Sequence, residues 1–183
     1  MRRFLLIALL AGAAGFAAEA NVAPEFKKGN RLVRPEGYHE WVFVGSSLGM
    51  SYNKNPGHEG QPEFHNVYIS PNAYREFRDK GTFPDGTVLV LEIVSSGGNA
   101  SINRAGKFED KVLGIDAAVK DSKRFPEKWA YFGFMGPKGE PLAQAKPFPK
   151  QACWSCHNPH GEVDNVFVQF YPVLREAQTL RAR

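Results

Sequence analysis

Residues 153 to 157 read Cys-Trp-Ser-Cys-His, and here residue type and spacing together specify a chemistry. Two thiols three positions apart match the two vinyl groups on one edge of a porphyrin, so both can form thioether bonds. A histidine directly after the second thiol falls beneath the ring, where its imidazole can bind the iron axially. The pattern predicts one covalent haem c on Cys153 and Cys156, with His157 as the axial iron ligand. The chain has only two cysteines, so this use leaves none for the disulfide that is the default in an exported protein. Two other chemistries compete. A thioredoxin-like pair shares the C-x-x-C spacing but opens a helix after a strand, whereas Cys153 follows the proline-rich run Lys146-Pro147-Phe148-Pro149-Lys150. A zinc site recruiting His157 and His160 would need its ligand pairs roughly a dozen residues apart.

The N-terminal segment bears on the haem reading, because this attachment takes place on exported chains. Met1-Arg2-Arg3 is followed by an apolar run to Ala18 and a small-x-small site at Ala18-Glu19-Ala20. This reads as a signal peptide over residues 1–20, cleaved after Ala20, and predicts a periplasmic protein. A membrane anchor is the competing reading, but the run is shorter than the roughly 20 apolar residues a spanning helix needs. Residues 21–183 then form a single domain with its own core. The formal net charge of +4 is scattered along the chain, with no basic run interleaved with aromatics, so nucleic-acid binding is not expected. A mild positive charge would favour an acidic redox partner, or simply solubility.

The elements that must position the motif are mostly strands. Trp41 to Val44 is β-branched and aromatic and is expected to end at Gly45. Asn66 to Ser70 reads as a second strand. Pro71 then opens a helix through Arg78, with Ser70 as N-cap and Gly81 beyond its end. Asp85-Gly86 turns the chain into Thr87–Val94, whose two faces are both apolar and so must both be covered, by core or by an apolar cofactor. Residues 25–37 suggest a loop or short helix, 53–63 a loop, and Ser95 to Gly106 a flexible loop. Val112 to Val119 is ambiguous, Trp129 to Met135 is a strand, and a helix follows Pro172. Strands outnumber helices without βα alternation. The fold class is therefore α+β, an antiparallel β-sheet with flanking helices enclosing one covalently bound haem.

The chain resembles the cytochrome P-460 and cytochrome c′-beta family of exported mono-haem cytochromes. The resemblance rests on Tyr38-His39-Glu40-Trp41-Val42-Phe43-Val44-Gly45, Asp85-Gly86-Thr87-Val88, Val119-Lys120-Asp121-Ser122-Lys123-Arg124-Phe125, the haem motif, and Phe170-Tyr171-Pro172-Val173-Leu174-Arg175. It implies a five-coordinate iron, open on its distal side, in a homodimer. In the hydroxylamine-oxidising branch a strand lysine is cross-linked to the haem edge and a glutamate lies on the distal side. The matching positions here are Leu91, which has no amine, and Asp116, whose carboxylate has about 1.5 Å less reach. The resemblance therefore points to the cross-link-free branch, whose apolar distal pocket binds nitric oxide and carbon monoxide. Asp116 remains a candidate distal base for hydroxylamine chemistry, and simple electron transfer to a partner cytochrome is a third reading.

Four further assignments follow as expectations. Phe64 is the candidate distal cap, with core packing as its alternative. Asp116 could instead sit in an exposed turn or pair with Lys120 or Lys123. His39, His58, His65, His160, Met50 and Met135 are the candidate sixth ligands, which would favour electron transfer by filling the distal site. Lys120 and Arg124 could pair with the haem propionates.

Overall fold

The computed structural model describes residues 21–50 and 61–182; the signal-peptide assignment and His58 lie outside the described residues. Five strands form an antiparallel sheet in chain order: β3 (Val42–Leu48), β4 (Glu63–Ile69), β5 (Val88–Gly97), β6 (Phe108–Lys120) and β7 (Trp129–Gly133). A smaller sheet orders β1 (Phe26–Lys27), β2 (Arg31–Val33) and β8 (Gln144–Ala145). Helix α1 (Pro71–Lys80) joins β4 to β5, α2 (Trp154–His160) carries the haem motif, and α3 (Pro172–Arg181) closes the described chain. The expected α+β class with an antiparallel sheet is borne out.

The period-two alternation of β5 divides the molecule. Leu91 pairs with Val67 on one side and with Asp116 on the other, and Leu89 pairs with Ala118. These residues, with Tyr131 on β7, face a layer built by α1, α3 and the C-terminal segment, where Phe77, Phe83, Val168 and Leu174 are buried. The opposite parity, Val88 and Val90 with Ala117, Val119 and Phe132, packs against the small sheet around Leu32, Tyr38 and Ala145. A one-residue slip would exchange the two faces, so the burial of both fixes the register.

One residue breaks the apolar run Val88–Val94 of β5. Glu92 is 4% exposed, on the face away from α2. Tyr38 Oη donates to its carboxylate at 2.7 Å, Asn66 Nδ2 at 3.4 Å, and His39 Nε2 lies 2.9 Å away. A buried carboxylate persists only with such partners, and this engagement accounts for His39.

Several local expectations need correction. Residues 25–37 contain β1 and β2, too short to show an alternation. β3 does not stop at Gly45 but passes through it with a bulge. A Cβ on Gly45 would lie 3.0 Å from Pro172 Cδ, so the glycine admits the start of α3 rather than ending the strand. β4 begins at Glu63, and β5 runs into the expected loop as far as Gly97. The ambiguous stretch is strand, forming part of β6. α1 stops two residues beyond Arg78 with Gly81 in the left-handed conformation, φ 73°, a common helix ending. Ser70 flanks its start without a side-chain cap; its hydroxyl accepts instead from the Val88 amide at 3.4 Å. Among the described residues no helix is long and apolar enough to cross a membrane.

Candidate functional site

The motif folds as a short helix held at its start by packing. Trp154 Nε1 donates to the Glu127 carbonyl at 3.3 Å, and Lys150 sits 4.1 Å over the indole while pairing with Glu127. Cys153 flanks the helix, its carbonyl accepting from the amides of Cys156 and His157, both at 3.0 Å. One helical turn thus presents both sulfurs and the imidazole. Both cysteines are free thiols, half-buried.

His157 is fixed on three sides. Its Nδ1 donates to the Asn165 carbonyl at 2.9 Å, which leaves Nε2 as the free ring nitrogen. The Tyr131 and Phe167 rings stand 4.5 and 4.4 Å from it, centroid to centroid. Burial lowers its pKa, opposed by the hydrogen bond to the Asn165 carbonyl. Neutral imidazole, the form that binds iron, is therefore favoured.

The ring borders a cavity with about 1000 Å³ of empty space, its open mouth included, against the inner face of the sheet. Its floor includes Val67, Leu89, Leu91 and Ala118, with Asp116 among them; Cys153, His157, Phe167 and Phe170 border it, and Ser46, Ser47, Met50 and His65 are among the other residues that line it. This set fits a haem on three counts. Two thiols and a free imidazole nitrogen share one helical turn, the floor is apolar apart from Asp116, and Tyr131 Oη and Asn165 Nδ2 are buried donors that find no acceptor beyond each other among the described residues. Those donors suit the acceptor atoms a propionate-bearing group would bring.

The competing chemistries fare worse. Burial pushes the Cys153 thiol pKa up, reinforced by the nearby Asp116 carboxylate, the reverse of what an activated redox cysteine needs. Among the described residues no three His, Cys, Asp or Glu side chains converge as a metal site, and His160 is exposed.

The structure sorts the sequence-derived candidates. Leu91 and Asp116 are paired across β5 and β6 and both line the cavity. Phe64 is a correction. It shares the parity of Asn66 and Tyr68, while the cavity takes His65 and Val67 from the same strand; its expected capping role is not supported. Phe148, lying over Gly133 beside Asp116, and Phe170 border the cavity instead. Lys120 donates to Asp164 and to the Phe83 carbonyl, both at 2.6 Å. Arg124 pairs with Asp121 and stacks on Phe26 at the opposite face. Neither cation is thus poised for a propionate. Of the sixth-ligand candidates, His65 and Met50 line the cavity, whereas Met135 lies by Gly114.

Tyr131, Asn165 and Phe167 escaped the sequence reading. For Asn165 a signal existed: Asp-Asn between two valines is the pattern of a tight hairpin turn.

Asp116 has no hydrogen-bond or ion-pair partner among the described residues, and burial pushes its carboxyl up to about 6 from 3.8. The folded state therefore holds a proton that the unfolded chain releases at lower pH. This contribution to stability is complete below the unfolded value and is lost as pH rises through about 6. Asp116→Asn is expected to stabilise the protein near pH 8 by ~1–3 kcal/mol, with the gain vanishing at about pH 3.5. Denaturant unfolding at the two pH values checks it.

A comparison with curated proteins finds no match. A family model, that of cytochrome P460, matches residues 35–168, a span that takes in the whole central sheet, the cavity floor and the haem motif. With that span and this site together, the chain belongs to the cytochrome P460 family.

Proposed function

We propose that this is an exported mono-haem c-type cytochrome whose iron binds nitric oxide, carbon monoxide or similar small neutral ligands at an open distal position. Cys153 and Cys156 hold the haem covalently and His157 Nε2 binds its iron. When bound, the haem supplies a redox-active metal with one position free for a small ligand. The chain's own residues do the rest. The Asn165 carbonyl orients the imidazole, and the Tyr131 and Phe167 rings keep it from turning. Val67, Leu89 and Leu91 exclude water from one wall.

The observation that carries this reading is the pairing of Leu91 with Asp116 on the cavity floor. The position that resembles the cross-linking lysine is a hydrocarbon, so no amine is offered to the haem edge. The second reading, hydroxylamine oxidation, is favoured by Asp116 itself, a cavity carboxylate whose raised pKa suits proton transfer near neutrality. A filled sixth position, with Met50 or His65, would make the protein an electron carrier.

Export through residues 1–20 to the periplasm, a redox partner cytochrome and a homodimer belong to the same proposal.

The spectrum of the ferrous protein tests the reading. A high-spin ferrous haem that takes up carbon monoxide and nitric oxide, and leaves hydroxylamine unchanged, is expected. A strongly red-shifted ferrous band would mean a cross-link and overturn it, and a low-spin spectrum without added ligand would favour electron transfer.

A further inference from the structure

The carbonyl that holds His157 is presented by an unusual piece of backbone. Asp164 and Asn165 both have positive φ, 45° and 66°. Val163 and Val166 exchange hydrogen bonds across them, at 2.9 and 3.3 Å, which makes a two-residue hairpin turn with both central residues left-handed. Asp and Asn are the non-glycine residues that take that conformation most readily, so the local sequence itself favours the turn. The turn lies close against the end of α2: a Cβ on Gly161 would come within 2.7 Å of the Asn165 carbonyl carbon. Its other tie is electrostatic. Lys120, the last residue of β6, reaches from the cavity face of the sheet to Asp164 at 2.6 Å, with side-chain exposures of 16% and 28%. The Lys120 backbone is itself fixed, its amide bonded to the Thr87 carbonyl at 3.0 Å and its carbonyl to the Gly86 amide at 2.8 Å.

We infer that Lys120 and Asp164 are positioning residues for the axial histidine. Their ion pair ties the rigid end of the β5–β6 hairpin to the turn whose Asn165 carbonyl accepts the His157 Nδ1 proton. The chain of contacts is continuous: Lys120 Nζ to Asp164, one residue along to the Asn165 carbonyl, then 2.9 Å to Nδ1. A carbonyl held against Nδ1 makes Nε2 a stronger donor to a metal. A turn released from the sheet would let that hydrogen bond lengthen and weaken the iron–imidazole bond. Because the pair is partly buried and fixed by the Phe83 carbonyl, it keeps a definite geometry that exposed pairs lack. The inference rests on the haem reading above.

The test compares the holoprotein with Asp164→Asn, which tolerates the left-handed backbone while removing the charge, and with Lys120→Met. Lys120→Arg is the rescue variant, and Arg124→Gln, which breaks the Asp121 pair on the far face, is the control. The ferrous iron–histidine stretching band, read by resonance Raman, should move to lower frequency in Asp164→Asn and Lys120→Met. The reduction potential should rise with it, and nitric-oxide-driven loss of the proximal bond should quicken by roughly tenfold. Lys120→Arg should restore the band and Arg124→Gln should leave it in place. An unmoved band in both folded, haem-bearing variants overturns this inference alone. Absence of any iron–imidazole band from the unsubstituted protein overturns the haem reading with it.

Discussion

Replacing Cys153 and Cys156 together by alanine is expected to abolish covalent pigment completely, with the polypeptide migrating colourless in a denaturing gel stained for haem peroxidase activity. The reason is local. The motif sits on one turn opened by Trp154 packing on Lys150 and Glu127, and the chain holds no other thiol. Single replacements should each leave one thioether and a weakened but visible band. A double variant that still holds haem through denaturation would require attachment by some other side chain. Leu91 offers none, so that result would reopen the floor of the cavity to scrutiny.

The second large effect is expected from Gly161→Ala. The added Cβ would lie 2.7 Å from the His157 carbonyl oxygen and from the Asn165 carbonyl carbon, and 2.8 Å from the Val166 amide nitrogen. All three are backbone atoms, so no side chain can swing aside. Relief means giving up either the Gly161 amide bond to His157 at 2.8 Å or the Val163–Val166 pairing. Overpacking of this kind typically costs about 1–3 kcal/mol, and with backbone on both sides a loss of about 3 kcal/mol is expected. The midpoint of denaturant unfolding reads it. Gly98→Ala, whose Cβ would meet nothing closer than 3.6 Å, should stay within about 0.5 kcal/mol of the parent.

The chemistry was legible in the sequence because it is written on five consecutive residues, and β5 because its valines and leucines admit no exposed face. Phe64 shows why the distal wall was not. Its side is set by the pairing of Val67 with Leu91, a long-range register that a strand thought to begin at Asn66 does not reveal. Lys120 reads from the sequence as a cation that could pair with a propionate or sit on a solvated face, whereas its partner is Asp164, 44 residues away in a turn. Glu92 passed as one polar residue in an apolar strand. Its three partners come from the segment around Tyr38 and from β4, contacts only the folded sheet brings together. Gly45 reads as a strand end because glycine often marks one. The close approach of Pro172 that it permits is a tertiary fact.

The account stands on a porphyrin joined to two sulfurs of α2 with the His157 imidazole beneath its iron. Intact-mass measurement of the protein matured in a host that attaches haem c addresses this most directly. The mass of the chain from residue 21 plus a single haem, surviving denaturation, is the predicted result. A chain that weighs as bare polypeptide, or as polypeptide with zinc, would contradict it.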